Sequence, residues 1–368
     1  MTLNYQHLYG LFGRDISGQF PSIDAILHHA RECKGLTLKE AAALLVAPGE
    51  FGGAIFDAAA AVKRATKGRL VTFYGVVYIH DFCVNSCPYC GDSCVSEHAD
   101  RKLLSPKEFL ADLAALCSEH KFKEICFLAG EDNKRFPPND LARYLLSARQ
   151  IYQGKININV APMSVDEFGL IRSTVPGRLH FRVFQETYDR DIYAREHANG
   201  PKRDYDWRIE SQMRALDAGF DEVGQGVLYG LNDKEFGSEF ETLAMLAYAQ
   251  DVKEKYGRFP QSMSFPRLRQ AKGVESYHVP KPITEEILKR FVAVTKLTIP
   301  EVDTVITCRE TAAFRREIRP IVNIEDFGAK PGPGGNLGEP VHFQMSLPDS
   351  RSGAEVRDEM LRDGYEVQ

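Results

Sequence analysis

Eight short apolar runs, separated by amphipathic stretches of helix length, constrain this chain more than any other feature. They lie at 74–79, 124–128, 155–160, 179–184, 222–228, 262–265, 303–307 and 320–324. Between them apolar residues recur at three- and four-residue spacing, as at Phe109, Leu113 and Leu116, or at Ile209, Met213 and Leu216 just before Gly219. Strand-helix-strand repetition predicts parallel pairing through right-handed crossovers. Eight such units over about 250 residues fit an α/β fold of the closed (β/α)8 TIM type, although six units in an open barrel produce a similar pattern.

Three segments follow from that pattern. Residues 1–70 read as a helical N-terminal extension, with the clearest helix at 37–46 and its stop at Pro48-Gly49. Residues 71–328 form the barrel. Residues 329–368 supply a loop, Ala-Lys-Pro-Gly-Pro-Gly-Gly-Asn at 329–336, and a helix near 354–362 expected to pack on the barrel exterior.

Composition excludes several classes of function. The 368 residues are 43% hydrophobic, enough for a full core, and carry 46 basic against 51 acidic side chains, a net charge of −5. Such a balance gives no general attraction for nucleic acid or an anionic membrane. No uncharged apolar run approaches the ~20 residues of a membrane span, and the start, Met-Thr-Leu-Asn-Tyr-Gln-His, lacks the pattern of a secretory signal. A cytoplasmic location is expected. Eight cysteines are too sparse for a disulfide scaffold, and four of them fall within twelve positions, which suggests ligands kept reduced. Cys33, Cys117 and Cys126 lie in helix-like or strand-like surroundings and read as inert small hydrophobes.

The crowded cysteines follow the first strand, in Phe-Cys-Val-Asn-Ser-Cys-Pro-Tyr-Cys-Gly at 82–91. Cys83, Cys87 and Cys90 are spaced so that three thiolates can fold around one metal cluster. Closed structural sites usually take four protein ligands, whereas three thiolates leave one iron with an open position. From spacing alone, Cys94 could instead complete a four-thiolate zinc site in a non-catalytic scaffold.

A C-x3-C-x2-C run with an aromatic, Tyr89, before the last cysteine resembles the signature of the radical S-adenosylmethionine (SAM) enzymes. The resemblance implies that the three cysteines hold a [4Fe-4S] cluster and that SAM chelates its fourth iron. In a barrel of this type chemistry sits at the strand C-termini, where other informative residues also fall. Ala-Gly-Glu at 129–131 resembles the family's Gly-Gly-Glu, so Gly130 and Glu131 are expected at SAM, with Gly130 permitting close approach because it has no Cβ. Glu186 matches a carboxylate that contacts the aminoacyl end of SAM. Arg208 stands where related barrels set an arginine against the SAM carboxylate, and a cation in the first turn of a helix is there for a nearby anion. At the end of the seventh strand Arg309 could clamp the α-carboxylate of an amino acid, the alternative being an ion pair with Glu310. Arg267 and Arg269 form a second basic pair on the rim.

Four longer phrases narrow the resemblance from residue 70 onward: Phe-Gln-Glu-Thr-Tyr-Asp at 184–189, Gly-Pro-Lys-Arg-Asp-Tyr-Asp-Trp-Arg at 200–208, Gly-Gln-Gly-Val-Leu-Tyr-Gly-Leu at 224–231 and Ser-Phe-Pro-Arg-Leu-Arg at 264–269. They are similar to the radical SAM aromatic amino-acid lyases, which fragment free tyrosine or tryptophan. The resemblance implies reductive cleavage of SAM to a 5′-deoxyadenosyl radical and scission of an amino acid, first of all L-tyrosine at Cα–Cβ to 2-iminoacetate and p-cresol. An electron donor such as flavodoxin or ferredoxin is implied as partner, and Arg309 falls on the arginine that holds the substrate carboxylate.

The chain also departs from that group. It ends after Tyr365-Glu-Val-Gln without the cysteine-bearing domain of the hydrogenase-maturation members, so carbon monoxide and cyanide production is not expected. Asn-Ile-Glu-Asp-Phe-Gly at 323–328 replaces a serine-rich turn and brings two carboxylates, Glu325 and Asp326, toward the expected amino-group site. His80-Asp81 stands for Ser-Asn, and Cys308 for a threonine. Tryptophan, or an amino acid with a basic side chain, therefore stays open beside tyrosine.

Overall fold

Strand β1 (Leu70–His80) pairs in parallel with two neighbours, β2 (Glu124–Ala129) and β8 (Ile324–Asp326), and so closes the sheet on itself. Between them β3 (Lys155–Asn159), β4 (Leu179–Arg182), β5 (Glu222–Gly226), β6 (Ser262–Ser264) and β7 (Asp303–Ile306) pair in chain order, all parallel. The computed structural model describes residues 3–12, 21–97, 101–338 and 345–368. The expected (β/α)8 barrel is present, and the β1–β8 pairing excludes the open six-unit alternative.

Helices α1 (Ile23–Ala30), α2 (Leu38–Leu45) and α3 (Gly52–Lys67) precede the barrel. Crossovers are made by α4 (Pro106–Glu119), α5 (Pro138–Ala148), α6 (Val165–Thr174), then three short helices after β4, α7 (Arg190–Glu196), α8 (Tyr205–Ile209) and α9 (Ser211–Asp217), and finally α10 (Gly237–Tyr256), α11 (Glu285–Thr298) and α12 (Ala312–Ile318). Local chemistry sets several of these starts. Thr37, Ser105 and Ser164 each accept the N–H of a glutamate three residues on, and that glutamate returns a bond to the cap backbone. The reciprocal bond satisfies two otherwise orphaned donors, so α2, α4 and α6 begin where the sequence places those pairs. Phe109, Leu113 and Leu116 then line the buried face of α4.

The N-terminal extension is built into the barrel wall. α2 packs on α10 and α11, α3 packs on α11, and Ile26, Leu44, Ala58 and Val62 share one apolar cluster with the barrel strands and helices. Residues 13–20 of that extension lie outside the described residues. Among the described residues no single helix is long and apolar enough to cross a membrane.

Two features of the C-terminal third differ from expectation. The run at 320–324 is not the eighth strand: Arg319–Ile321 is a 3-10 turn, and the strand begins at Ile324. Pro320 sets this, because it has no N–H for a sheet ladder and favours the first position of a helical turn. The tail, besides the expected helix α13 (Gly353–Arg362), forms a short strand β9 (Glu366–Val367) that pairs in parallel with Leu70 and Val71 of β1.

A buried charge network joins this tail to the barrel. Arg319, fully buried, donates to Glu325 at 2.9 Å and to Glu359 of α13 at 3.0 Å, while Arg315 reaches Glu325, Asp326 and Asp349 at 3.0, 3.0 and 2.8 Å. Removing one partner of a buried pair leaves the other charge uncompensated, at a cost of about 3–5 kcal/mol. Glu325→Gln should therefore lower unfolding stability by roughly that amount in denaturant titration. A change below about 1 kcal/mol would mean that the network does not hold the tail.

Candidate active site

The loop that leaves β1 folds over the C-terminal mouth of the barrel and is held there by hydrogen bonds to its backbone. The Arg101 guanidinium donates to the carbonyls of Asp81, Asp92 and Ser93 at 2.7, 2.7 and 2.6 Å. Asn85 is buried at the centre: its amide donates to Glu131 at 2.9 Å and to the Cys83 sulfur at 3.6 Å, and its side-chain oxygen accepts the Lys202 N–H at 2.9 Å. In this arrangement Cys83, Cys87 and Cys90 border one chamber in the barrel mouth. Cys94 is exposed and is not part of that lining.

Gly130, after β2, borders the same chamber, and its N–H donates to the His80 carbonyl at 2.9 Å. A Cβ at this position would overlap the Phe82 carbonyl oxygen. The glycine is thus required by the chain's own crossing, where the cysteine loop passes over the end of β2, which accounts for it without any ligand.

Two carboxylates and two cations extend from that crossing toward β4. Arg208 is 4% exposed and donates to Glu131 at 2.8 Å and to the Phe184 carbonyl at 2.7 Å, with Glu186 at 3.7 Å. Lys202 meets Glu186 at 2.7 Å. Burial pushes the Glu131 pKa up, but Arg208 and Lys202 outweigh it and hold the carboxyl below the usual range. Glu186 has a φ of +69°, a left-handed conformation that costs a side-chain-bearing residue energy and is seen where surrounding structure enforces it. The helix argument for Arg208 does not hold, because α8 is five residues long and the arginine lies in its last turn, the favourable end for a cation. The acids Glu131 and Glu186 are what hold it inside. Tyr89 also lines the chamber, its hydroxyl 2.8 Å from His197 Nε2.

On the opposite wall, Arg309 follows β7 and borders the chamber. Among the described residues no carboxylate forms an ion pair with its guanidinium. The alternative pair with Glu310 is not made, since Glu310 is bound by Arg267 and by Arg269 at 3.0 Å, and Arg269 also donates to the Arg309 carbonyl at 2.8 Å. Arg267 must be corrected as a site residue: its remaining donor goes to the Ile283 carbonyl at 2.8 Å, it does not line the chamber, and it fixes Glu310 instead. Glu325 must be corrected too. Neighbouring residues of a strand point to opposite faces, so Asp326 borders the chamber, accepting the Cys308 N–H at 3.0 Å, while Glu325 faces Arg315 and Arg319 outside the strands. His80 and Asp81 are buried but do not line the chamber, whereas Cys308 and Cys126 do, the latter within an apolar cluster of Tyr74, Val76, Tyr78, Val305 and Ile324.

Asn85, Lys202 and Arg101 escaped the sequence reading. Lys202 stands inside the quoted Gly-Pro-Lys-Arg phrase, and Asn85 lies two residues past the first cysteine. Their significance comes from contacts across 117 and 46 positions of chain, which no local pattern shows.

The donor set fits an iron-sulfur cluster. Burial pushes the thiols of Cys83, up to about 12, and of Cys87 and Cys90 upward, so these are sulfurs that a cationic metal centre would deprotonate. A single tetrahedral zinc needs sulfurs about 3.8 Å apart. Among the described residues the one set of three such ligands gathered within 4.8 Å is Glu124, His180 and Glu222, and there Lys155 already bridges the two carboxylates at 2.5 and 2.6 Å.

No protein-family model matches the chain. It is 30% identical over 294 residues to 2-iminoacetate synthase of Escherichia coli strain K12, covering 79% of this chain and 75% of that protein. The crystal structure of HydG, a maturase of the [FeFe]-hydrogenase, superposes with a TM-score of 0.90 at 30% identity, covering 100% of this chain and 80% of that one. HydG from Carboxydothermus hydrogenoformans gives 0.88 at 25% identity, over 99% and 83%. The chain belongs to the radical SAM family of 2-iminoacetate synthase. It is an enzyme of that class, with a [4Fe-4S] cluster and SAM as cofactors. The non-catalytic zinc scaffold is thereby set aside.

Gly130→Ala should force the cysteine loop off β2 and destabilise the fold by about 1–3 kcal/mol, as overpacking does. Limited proteolysis within residues 81–97 checks this; unchanged cleavage and unchanged melting would show that the crossing is not tight.

Proposed function

We propose that the chain cleaves free L-tyrosine at Cα–Cβ, releasing 2-iminoacetate and p-cresol. The observation that carries this is one chamber with the three cysteines and the Glu131–Arg208–Glu186–Lys202 row on one side and, on the other, Arg309, whose guanidinium meets no carboxylate among the described residues. Tyr74, Tyr78, Phe184 and Phe265 wall the space between, which suits an aromatic side chain. The name of the Escherichia coli relative points to the same product.

When bound, the cluster and SAM supply one electron and a 5′-deoxyadenosyl radical. Cys83, Cys87 and Cys90 hold the cluster in this reading, and Asn85 orients the first of them. Gly130, Glu131, Glu186, Arg208 and Tyr89 border the SAM position, where Glu186 and Lys202 offer an acceptor and a donor to its ammonium and carboxylate. Arg309, held in place through its carbonyl by Arg269, presents a planar fork of donors to the substrate carboxylate. Asp326, anchored by the Cys308 N–H and Arg315, lies at the base of the same wall. Pro331, Met345 and Leu347 of the C-terminal segment add apolar side chains to the chamber wall. A small one-electron carrier, flavodoxin or ferredoxin, fits as reductant, and a cytoplasmic setting suits eight cysteines that are all free thiols.

Anaerobic reconstitution followed by SAM, dithionite and tyrosine should yield 5′-deoxyadenosine and p-cresol. Absence of deoxyadenosine with every amino acid offered would refute the reading. Iron and acid-labile sulfide should be retained in Cys94→Ser and lost in Cys87→Ser; the opposite pattern would break the ligand assignment. Arg309→Met should raise KM for tyrosine by about 100-fold, the worth of a bidentate carboxylate contact, with SAM binding unchanged in calorimetry.

A further inference from the structure

Below the aromatic walls the chamber ends on a polar floor whose donors are not used up within the protein. Arg182, at the end of β4 and 3% exposed, borders the chamber, as does Ser264 on β6, also 3% exposed. The Arg182 Nε and the Ser264 hydroxyl are both buried without a hydrogen-bond partner, and so are the Ser262 hydroxyl and His180 Nε2 one layer lower. Three of them, on Ser262, His180 and Arg182, meet beside Gly224. A Cβ built on Gly224 would lie 2.6 Å from Ser262 Oγ, 2.8 Å from His180 Nε2 and 3.1 Å from Arg182 Nε, so these three side chains fill the place that a larger residue on β5 would take. Native interiors seldom leave buried donors unpaired, and the two that border the chamber, Arg182 Nε and the Ser264 hydroxyl, point to a ligand atom that completes them.

The partners of Arg182 point the same way. Among the described residues the buried charges below the chamber are Lys155 and Arg182 with Glu124 and Glu222, whereas the Arg178 side chain is 67% exposed. Lys155 bridges both acids, and Arg178 takes Glu222. Arg182 is left with a single contact to Glu124 at 3.2 Å and with the Tyr74 ring, 5.4 Å from its guanidinium carbon. Of these charges Arg182 is the one that borders the chamber. A buried cation in this position favours an oxygen acceptor or an anion.

We propose that Arg182 and Ser264 form the side-chain recognition subsite, which takes the phenolic oxygen of the substrate and so distinguishes tyrosine from phenylalanine. The proposal rests on the lyase reading above and specifies its substrate end. With the α-carboxylate at Arg309, the ring lies among Tyr74, Tyr78, Phe184 and Phe265 and its oxygen meets the floor. A substrate without that oxygen leaves Arg182 Nε and the Ser264 hydroxyl desolvated and unpaired, the situation in which sites built to bond a hydroxyl reject the analogue strongly. A side-chain carboxylate has related chemistry, but the aromatic walls favour the phenol.

The test uses reconstituted holoenzyme with SAM and no reductant, titrated calorimetrically with tyrosine, phenylalanine and glutamate. Tyrosine should bind at least about 100-fold more tightly than phenylalanine, a preference of the size buried hydroxyl partners give. Arg182→Met should weaken tyrosine by about 10–100-fold and leave phenylalanine within about threefold, as loss of a charge-assisted bond does. Ser264→Ala, a smaller change less able to disturb the barrel, should weaken tyrosine by about 5-fold and phenylalanine not at all. Equal binding of tyrosine and phenylalanine by the unaltered protein, or parallel loss of both in the two variants, overturns the subsite. Tighter binding of glutamate than of tyrosine also overturns it, assigning the floor to a carboxylate. Deoxyadenosine release with tyrosine on reduction is read separately: if it occurs while either result holds, the subsite falls and the lyase reading stands.

Discussion

Everything in this molecule is disciplined by the two-residue repeat of a strand inside a closed barrel. Once β1 pairs with both β2 and β8, each strand must give alternate side chains to the helices and to the interior. Outward positions such as Phe73, Val77, Ile125 and Phe127 are apolar and fully buried against helices. Inward positions are not uniformly apolar. Glu124, His180, Arg182 and Glu222 lie inside the lower barrel, and solvent is kept from them by the strands themselves. Charges in such a place must answer one another, and the lysine and arginine of the floor largely do so.

The same alternation separates what looks alike in the chain. Glu325 and Asp326 are consecutive acids, yet one secures the C-terminal helix through Arg315 and Arg319 and the other borders the chamber. Arg267 and Arg269, two residues apart, converge on Glu310 and leave Arg309 with no carboxylate among the described residues. Side chains with structural duties thus fix the orientation of those that remain available to ligand.

Much of this was legible from residue order. Periodicity gave the barrel, and the cysteine spacing gave the loop over its mouth, because both are local properties. Failures occurred where a tertiary partner decides. Pro320 displaced the eighth strand by several residues, a shift that an apolar run cannot reveal. Arg182 reads as part of a strand, and its unused donor becomes visible only beside Gly224 and Ser262. Lys202 and Asn85 gain meaning from partners far along the chain. Arg208 is legible from its place in a phrase shared with related barrels, while the added helix-end reason is removed by the five-residue length of α8.

The left-handed backbone of Glu186 carries a consequence for how freely this protein can drift. Glycine relaxes that conformation fully and asparagine partly, but both delete the carboxylate that meets Lys202 and Arg208. Aspartate tolerates the backbone but withdraws the carboxylate by one methylene, and glutamine keeps the strain and loses the charge. No single replacement satisfies backbone and carboxylate reach together, so the position has no neutral neighbours in sequence space, and descendants of this chain are confined to glutamate there for as long as both demands persist.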